Sequence, residues 1–163
     1  MSGKAKHRTK SLDFMPHGPT RVLPDQTVPR QFVPTPYATR EDKARFCQQF
    51  AEFVKSDFSW AKFSNRLYRQ LSVTFWYIAH YDKKGFWETF FTSAAGKARF
   101  VFLTLANPCY GDPTLTFSDA ERRIQDWLKI EGSLERYRAL AEAEREAGER
   151  TMLIRPRQKY GKA

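Results

Sequence analysis

The chain has 163 residues, 41% of them hydrophobic and 15% aromatic, which is enough for one folded core and short of what two domains usually need. Two cysteines, Cys47 and Cys109, stand too far apart for a metal knuckle and make no disulfide framework, so a reducing compartment is expected. The net charge of +10 is uneven, with +5 over residues 1–40, +3 over 41–117, −2 over 118–150 and +4 over 151–163. The cations therefore gather at the two ends around a nearly neutral body, a balance that suits a polyanionic partner better than a charged catalytic cleft.

No apolar stretch of leader length follows the basic opening Met-Ser-Gly-Lys-Ala-Lys-His-Arg, so a secretory signal is not expected. The richest apolar run, Leu71 to Tyr81, is too short to span a bilayer and contains Ser72, Thr74 and His80. A soluble protein without membrane association is expected, in the cytoplasm, nucleoid or nucleus.

Residues 1–38 hold six prolines, few aliphatics and no period of 2 or 3.6. They cannot bury enough surface to offset the entropy of ordering and read as a disordered, Pro-rich basic arm. Phe14, Val22, Leu23, Phe32, Val33 and Tyr37 are its means of docking on the body or a partner.

The domain is expected over 39–148. Thr39 with Asp42 forms a capping box, and Phe46, Phe50, Phe53 and Val54 repeat at helical spacing, which predicts a first helix over 40–56. Ser59 is placed to cap a second, whose stripe Phe63, Leu67, Leu71, Phe75 and Ile78 runs to residue 81. The second half of that segment is apolar all round, which predicts a central, buried helix; its Val, Thr, Phe, Trp, Tyr and Ile also suit a strand.

After a turn at Asp82-Lys83-Lys84-Gly85, Phe86, Trp87, Phe90 and Phe91 predict a short third helix. Residues 94–106 fit a fourth, with a strand at Phe100 to Leu103 as the alternative. Asn107 to Pro113 is a loop by its prolines and Gly111. Ser118-Asp119-Ala120-Glu121 reads as a capping box opening a fifth helix that ends near Gly132. Ser133 starts a sixth with Leu134, Tyr137, Leu140 and Ala141 as a narrow stripe, beyond which Glu142 to Arg150 protrudes or covers the surface. Residues 149–163 form a second basic tail. The fold class expected is all-α, five to six helices between disordered basic arms; the alternative is α+β with strands from 71–79 and 99–105.

Lys4, Lys6, Arg8 and Lys10 alternate with small or polar residues, so an extended chain presents them to a phosphate backbone and releases counterions there. Arg155, Arg157, Lys159 and Lys162 repeat the pattern, with Tyr160 as a stacking face. On helix two, Lys62, Arg66 and Arg69 recur at spacings of four and three beside Tyr68, and Asn65 is within reach of a base edge. The plainer alternative for each group is a solvated face or a solubilising tail.

Cys109, His80 and Asp112 are the residues from which a nucleophile, base and orienter would be assembled. His80 is as readily a structural histidine. No cofactor and no metal are expected, because the three histidines lack paired ligands and no glycine pattern cradles phosphate. Trp60, Trp76, Trp87 and Trp127 are expected in the core. If Phe86, Trp87, Phe90 and Phe91 stayed exposed, they would mark a protein-binding patch. The function expected is a non-catalytic accessory protein binding DNA or RNA; the alternative is an adaptor or inhibitor docking on another protein.

Overall fold

The computed structural model describes residues 29–75, 81–109 and 111–160, with the backbone alone over 154–160. The expected arm at 1–28 lies outside the described residues, as do 76–80. Among the described residues there are six α-helices and no strand, so the domain is all-α and the strands considered at 71–75 and 99–105 do not form. The helices are α1 (Arg40–Lys55), α2 (Asn65–Thr74), α3 (Lys83–Phe90), α4 (Ala94–Ala106), α5 (Ser118–Glu131) and α6 (Ser133–Tyr160).

Helix α1 opens on the expected box: Asp42 donates its N–H to Thr39 Oγ1 at 3.0 Å, and Thr39 N–H donates to Asp42 Oδ2 at 2.8 Å. It closes with Phe58 N–H on Phe53 C=O and Asp57 N–H on Val54 C=O, both at 2.9 Å, the two reversed bonds of a Schellman turn. Glycine is the usual residue there, yet Asp57 and Phe58 take left-handed φ angles of 61° and 58°. Tertiary contacts hold them: Asp57 accepts from Tyr137 Oη at 2.6 Å and from Lys97 Nζ at 3.0 Å, while Phe58 is fully buried against Phe53 and Phe91.

The second helix is shorter than its apolar stripe implies. Ser59 caps only a 3₁₀ turn, Trp60–Lys62, and Ser64 starts α2 afresh by accepting the N–H of Leu67 at 3.1 Å. The break falls at Phe63, whose ring enters the core. At the other end α2 stops at Thr74, where β-branched and aromatic residues crowd together, and so does not form the long central helix expected. The core is instead an aromatic cluster drawn from several helices, in which Phe100 of α4 meets Phe50, Phe58, Phe86, Phe90 and Phe91 with ring centroids 4.9–6.4 Å apart.

Asp82 is the N-cap of α3, accepting the N–H of Gly85 at 2.6 Å. Ser93 caps α4, and a Cβ at Gly96 would lie 2.7 Å from the carbonyl oxygen of Phe90, so the tight α3–α4 corner requires glycine there. Gly132, at φ 65°, ends α5 in the left-handed region as expected.

The capping box read at 118–121 is corrected. The N-cap is Phe117, which supplies no side-chain cap. Ser118 Oγ donates to Gly111 C=O at 2.6 Å, and Glu121 Oε1 accepts from Asn107 Nδ2 at 3.3 Å. Both side chains have been recruited by the 107–117 loop, a tertiary demand that local spacing does not reveal.

Two edges of the domain also move outward. Residues 29–38 dock: Phe32 is buried, its carbonyl accepts from Arg40 Nε at 3.0 Å, and Val33 N–H donates to Asp119 Oδ2 at 3.0 Å. Helix α6 runs 28 residues, about 42 Å, beyond the boundary drawn at 148. Its first half packs along α4, with Tyr137 buried and Glu144 Oε1 accepting Ala94 N–H at 3.1 Å; from Gly148 to Leu153 it is exposed.

Candidate nucleic-acid interface

The three body cations expected on one face are all exposed, Lys62 in one element and Arg66 and Arg69 in the next. Lys62 closes the 3₁₀ turn, and Arg66 and Arg69 project from α2 because Leu67, Leu71 and Thr74 turn the opposite side of that helix inward. Among the described residues Lys62 and Arg69 make no ion pair; Arg66 lies 3.7 Å from Asp42, whose carboxylate already serves Thr39 and Arg45. Those hydrogen bonds hold the Asp42 carboxyl below its ordinary range, the Thr39 backbone contributing most.

Tyr68, beside this face, donates its hydroxyl to the carbonyl of Tyr81 and packs edge-on to Phe63. It joins α2 to the start of α3, where Lys83 and Lys84 stand. Lys83 Nζ sits 4.6 Å above the ring of Trp60, and Lys84 pairs with Glu88 at 3.9 Å. Asn65 is exposed at the first position of α2.

Sequence reasoning missed Trp60. Counted back from Phe63 and Leu67, it falls on the buried stripe of a continuous helix, but the 3₁₀ break rotates it outward and leaves it 45% exposed. Trp127 is buried and Trp87 half-buried, as expected of core tryptophans; Trp76 lies outside the described residues. Phe86, Phe90 and Phe91 are buried, so the aromatic docking patch they offered does not exist.

Of the terminal cations, Lys4, Lys6, Arg8, Lys10 and Lys162 lie outside the described residues. Arg155, Arg157, Lys159 and Tyr160 fall on the last turns of the α6 backbone, so the structure places them on a helix that leaves the body.

A cavity of about 530 Å³ opens between the docked 29–38 segment, the end of α2 and the 107–117 loop, with Val73, Leu115, Phe117 and Glu121 in its wall. Glu121 is buried there, and burial lifts its carboxyl above the ordinary range.

Of the Cys109, His80 and Asp112 constellation, the two described members, Cys109 and Asp112, are each engaged by other partners. Cys109 Sγ donates to Gln125 Oε1 at 3.2 Å, and burial, reinforced by the Glu121 carboxyl, pushes its thiol up to about 11, far from a ready thiolate. Asp112 is engaged by the N–H and hydroxyl of Thr114 at 2.9 and 2.8 Å, which hold it below the usual carboxylate range; His80 lies outside the described residues. Among the described residues no cluster of His, Cys, Asp and Glu is placed to hold a metal, and no helix is long and apolar enough to cross a membrane.

Comparison with protein-family models, with curated proteins and with solved structures finds no match to this chain.

Proposed function

We propose that the chain is a small non-catalytic accessory protein that binds nucleic acid, acting in the cytoplasm, nucleoid or nucleus. The observation that carries this is the exposure of Lys62 in the 3₁₀ turn and of Arg66 and Arg69 on α2, on a chain whose remaining positive charge is concentrated at its two ends. Each cation that neutralises a phosphate releases a condensed counterion, so affinity of this origin is steep in salt and indifferent to sequence. The body gives the cations a fixed track, and the ends add reach.

The test is a binding titration of labelled duplex DNA and structured RNA at low and physiological salt, with three proteins. The intact chain should lose about a thousandfold in affinity between roughly 50 and 200 mM salt if it makes six or more phosphate contacts. Deleting residues 1–28 and 151–163 should remove most of the binding, and Lys62→Ala/Arg66→Ala/Arg69→Ala should flatten the salt slope of what remains. The deletion stops at 28 because residues 29–38 are part of the folded body. Absence of binding to either nucleic acid in dilute buffer refutes the proposal.

A protein-docking role is the second reading, supported by the exposed Val73 and Leu115 on the rim of the 530 Å³ cavity. An interface built there would be insensitive to salt and to removal of both basic ends.

A further inference from the structure

Trp60 is held firmly at its base and open above. Its ring meets Trp87 nearly perpendicular at 5.5 Å and Phe63 at 6.2 Å, and Trp87 is anchored in turn by its Nε1–H donating to the carbonyl of Phe58 at 3.0 Å. One cation stands on the ring, Lys83 Nζ at 4.6 Å from its centroid; Lys62 belongs to the same 3₁₀ turn, and Arg66 and Arg69 are exposed on the helix that follows. The neighbouring acids are already engaged. Asp82 caps α3 through Gly85 N–H, and Glu88 pairs with Lys84.

We infer that Trp60 and the cations around it form a stacking platform for an unpaired base, so that single-stranded nucleic acid is the ligand of this face. The inference rests on the nucleic-acid reading above and narrows it. Bases in a duplex are stacked on one another and present only their edges and phosphates, so an exposed indole gains little from them. An unpaired base offers a whole π face, and stacking on an aromatic ring accepts any base. Lys83 now occupies the ring, but an ammonium on an exposed indole is held more weakly than a stacked base. The base displaces it, and the freed Nζ, on its flexible stem, meets the adjoining phosphate.

The full-length protein is titrated by fluorescence anisotropy with labelled oligo-dT and oligo-U of about 20 nucleotides, longer than the ~4–16 such a site covers, and with a duplex of the same length. The strands should bind more tightly than the duplex. Trp60→Ala and Trp60→Leu should each weaken strand binding about tenfold and leave duplex binding unchanged. Trp60→Phe, which keeps an aromatic face, should retain most of it. Lys62→Ala/Arg69→Ala should weaken both ligands. Thermal melts of each variant are run alongside; Leu and Phe fill the same apolar base, so a difference between them reports stacking rather than folding. The inference is overturned if duplex binds as well as strand, or if Leu and Phe at position 60 bind the strand equally; the broader reading survives either result provided the cation variants still weaken both. If neither ligand binds the intact protein, the broader reading fails and this one with it.

Discussion

Lys43 is the most consequential charge in the interior. It is fully buried, and its Nζ donates to Asp119 Oδ1 and to the carbonyl of Pro113, each at 2.9 Å, with the Phe117 ring 5.5 Å away. Asp119 also accepts the N–H of Val33, so the pair ties together α1, α5, the 107–117 loop and the docked 29–38 segment. Lys43→Met keeps the unbranched stem and removes only the ammonium. Stripping one partner from a buried pair costs about 3–5 kcal/mol, because the other charge is stranded. Asp119 remains 19% exposed and keeps the N–H donors of Val33 and Ala120, so the lower end of about 3 kcal/mol applies. For a chain of this size each kcal/mol moves the midpoint by about 2–4 °C, giving an expected fall in Tm of roughly 6–12 °C.

The assay is thermal unfolding by circular dichroism, for Lys43→Met, Asp119→Asn and both together. Asp119→Asn strands the ammonium instead and should cost a comparable amount, whereas the double variant strands neither charge and should recover part of the loss, a coupling of about 1–3 kcal/mol. A Lys43→Met protein that melts within about 2 °C of wild type would refute the claim that this pair is buried and structural.

Glu121→Gln should raise Tm at neutral pH, since burial lifts the Glu121 carboxyl and the folded state therefore takes up its proton more readily than the unfolded chain. The advantage should shrink as pH falls through the raised value and vanish below about 4.5, where the residue is protonated in both states; equal melting at pH 7 contradicts it. Asp57 has the opposite sign. Burial works against its ionisation, but the hydrogen bonds from Tyr137 and Lys97 prevail and hold it below its ordinary value, so its contribution is present above about pH 3.8 and lost below. Because its side chain is 66% exposed, Asp57→Asn should cost about 1 kcal/mol or less at neutral pH, read from urea midpoints. Cys47, pushed by burial up to about 12, and Cys109, raised to about 11, should react slowly with iodoacetamide at neutral pH until the protein unfolds; rapid labelling of the native state by mass spectrometry would contradict the burial of Cys47 and the raised thiol of Cys109.

Local chemistry decided a good deal of this fold. The Thr39 and Asp42 box, the left-handed stop at Gly132 and the apolar spacing of α1, α3 and α5 each need only neighbours within a turn or two, so a reading of the chain finds them. The exposure of Arg66 and Arg69 was visible for the same reason: periodicity turns Leu67 and Leu71 inward and these two cations out.

What the chain order could not disclose depends on partners far away in sequence. Ser118 and Glu121 abandon a cap to serve Gly111 and Asn107, and Asp119 reaches Lys43 and Val33, because those groups arrive only when the loop and the 29–38 segment fold over α5. The break at Phe63 has a similar origin: that ring joins the cluster of Phe53, Phe86 and Phe91, and the backbone leaves helical geometry there. That one turn exposes Trp60. The exposed side chains of this surface are thus set partly by periodicity, which turned Arg66 and Arg69 outward, and partly by core packing, which carried the Trp60 ring to the surface.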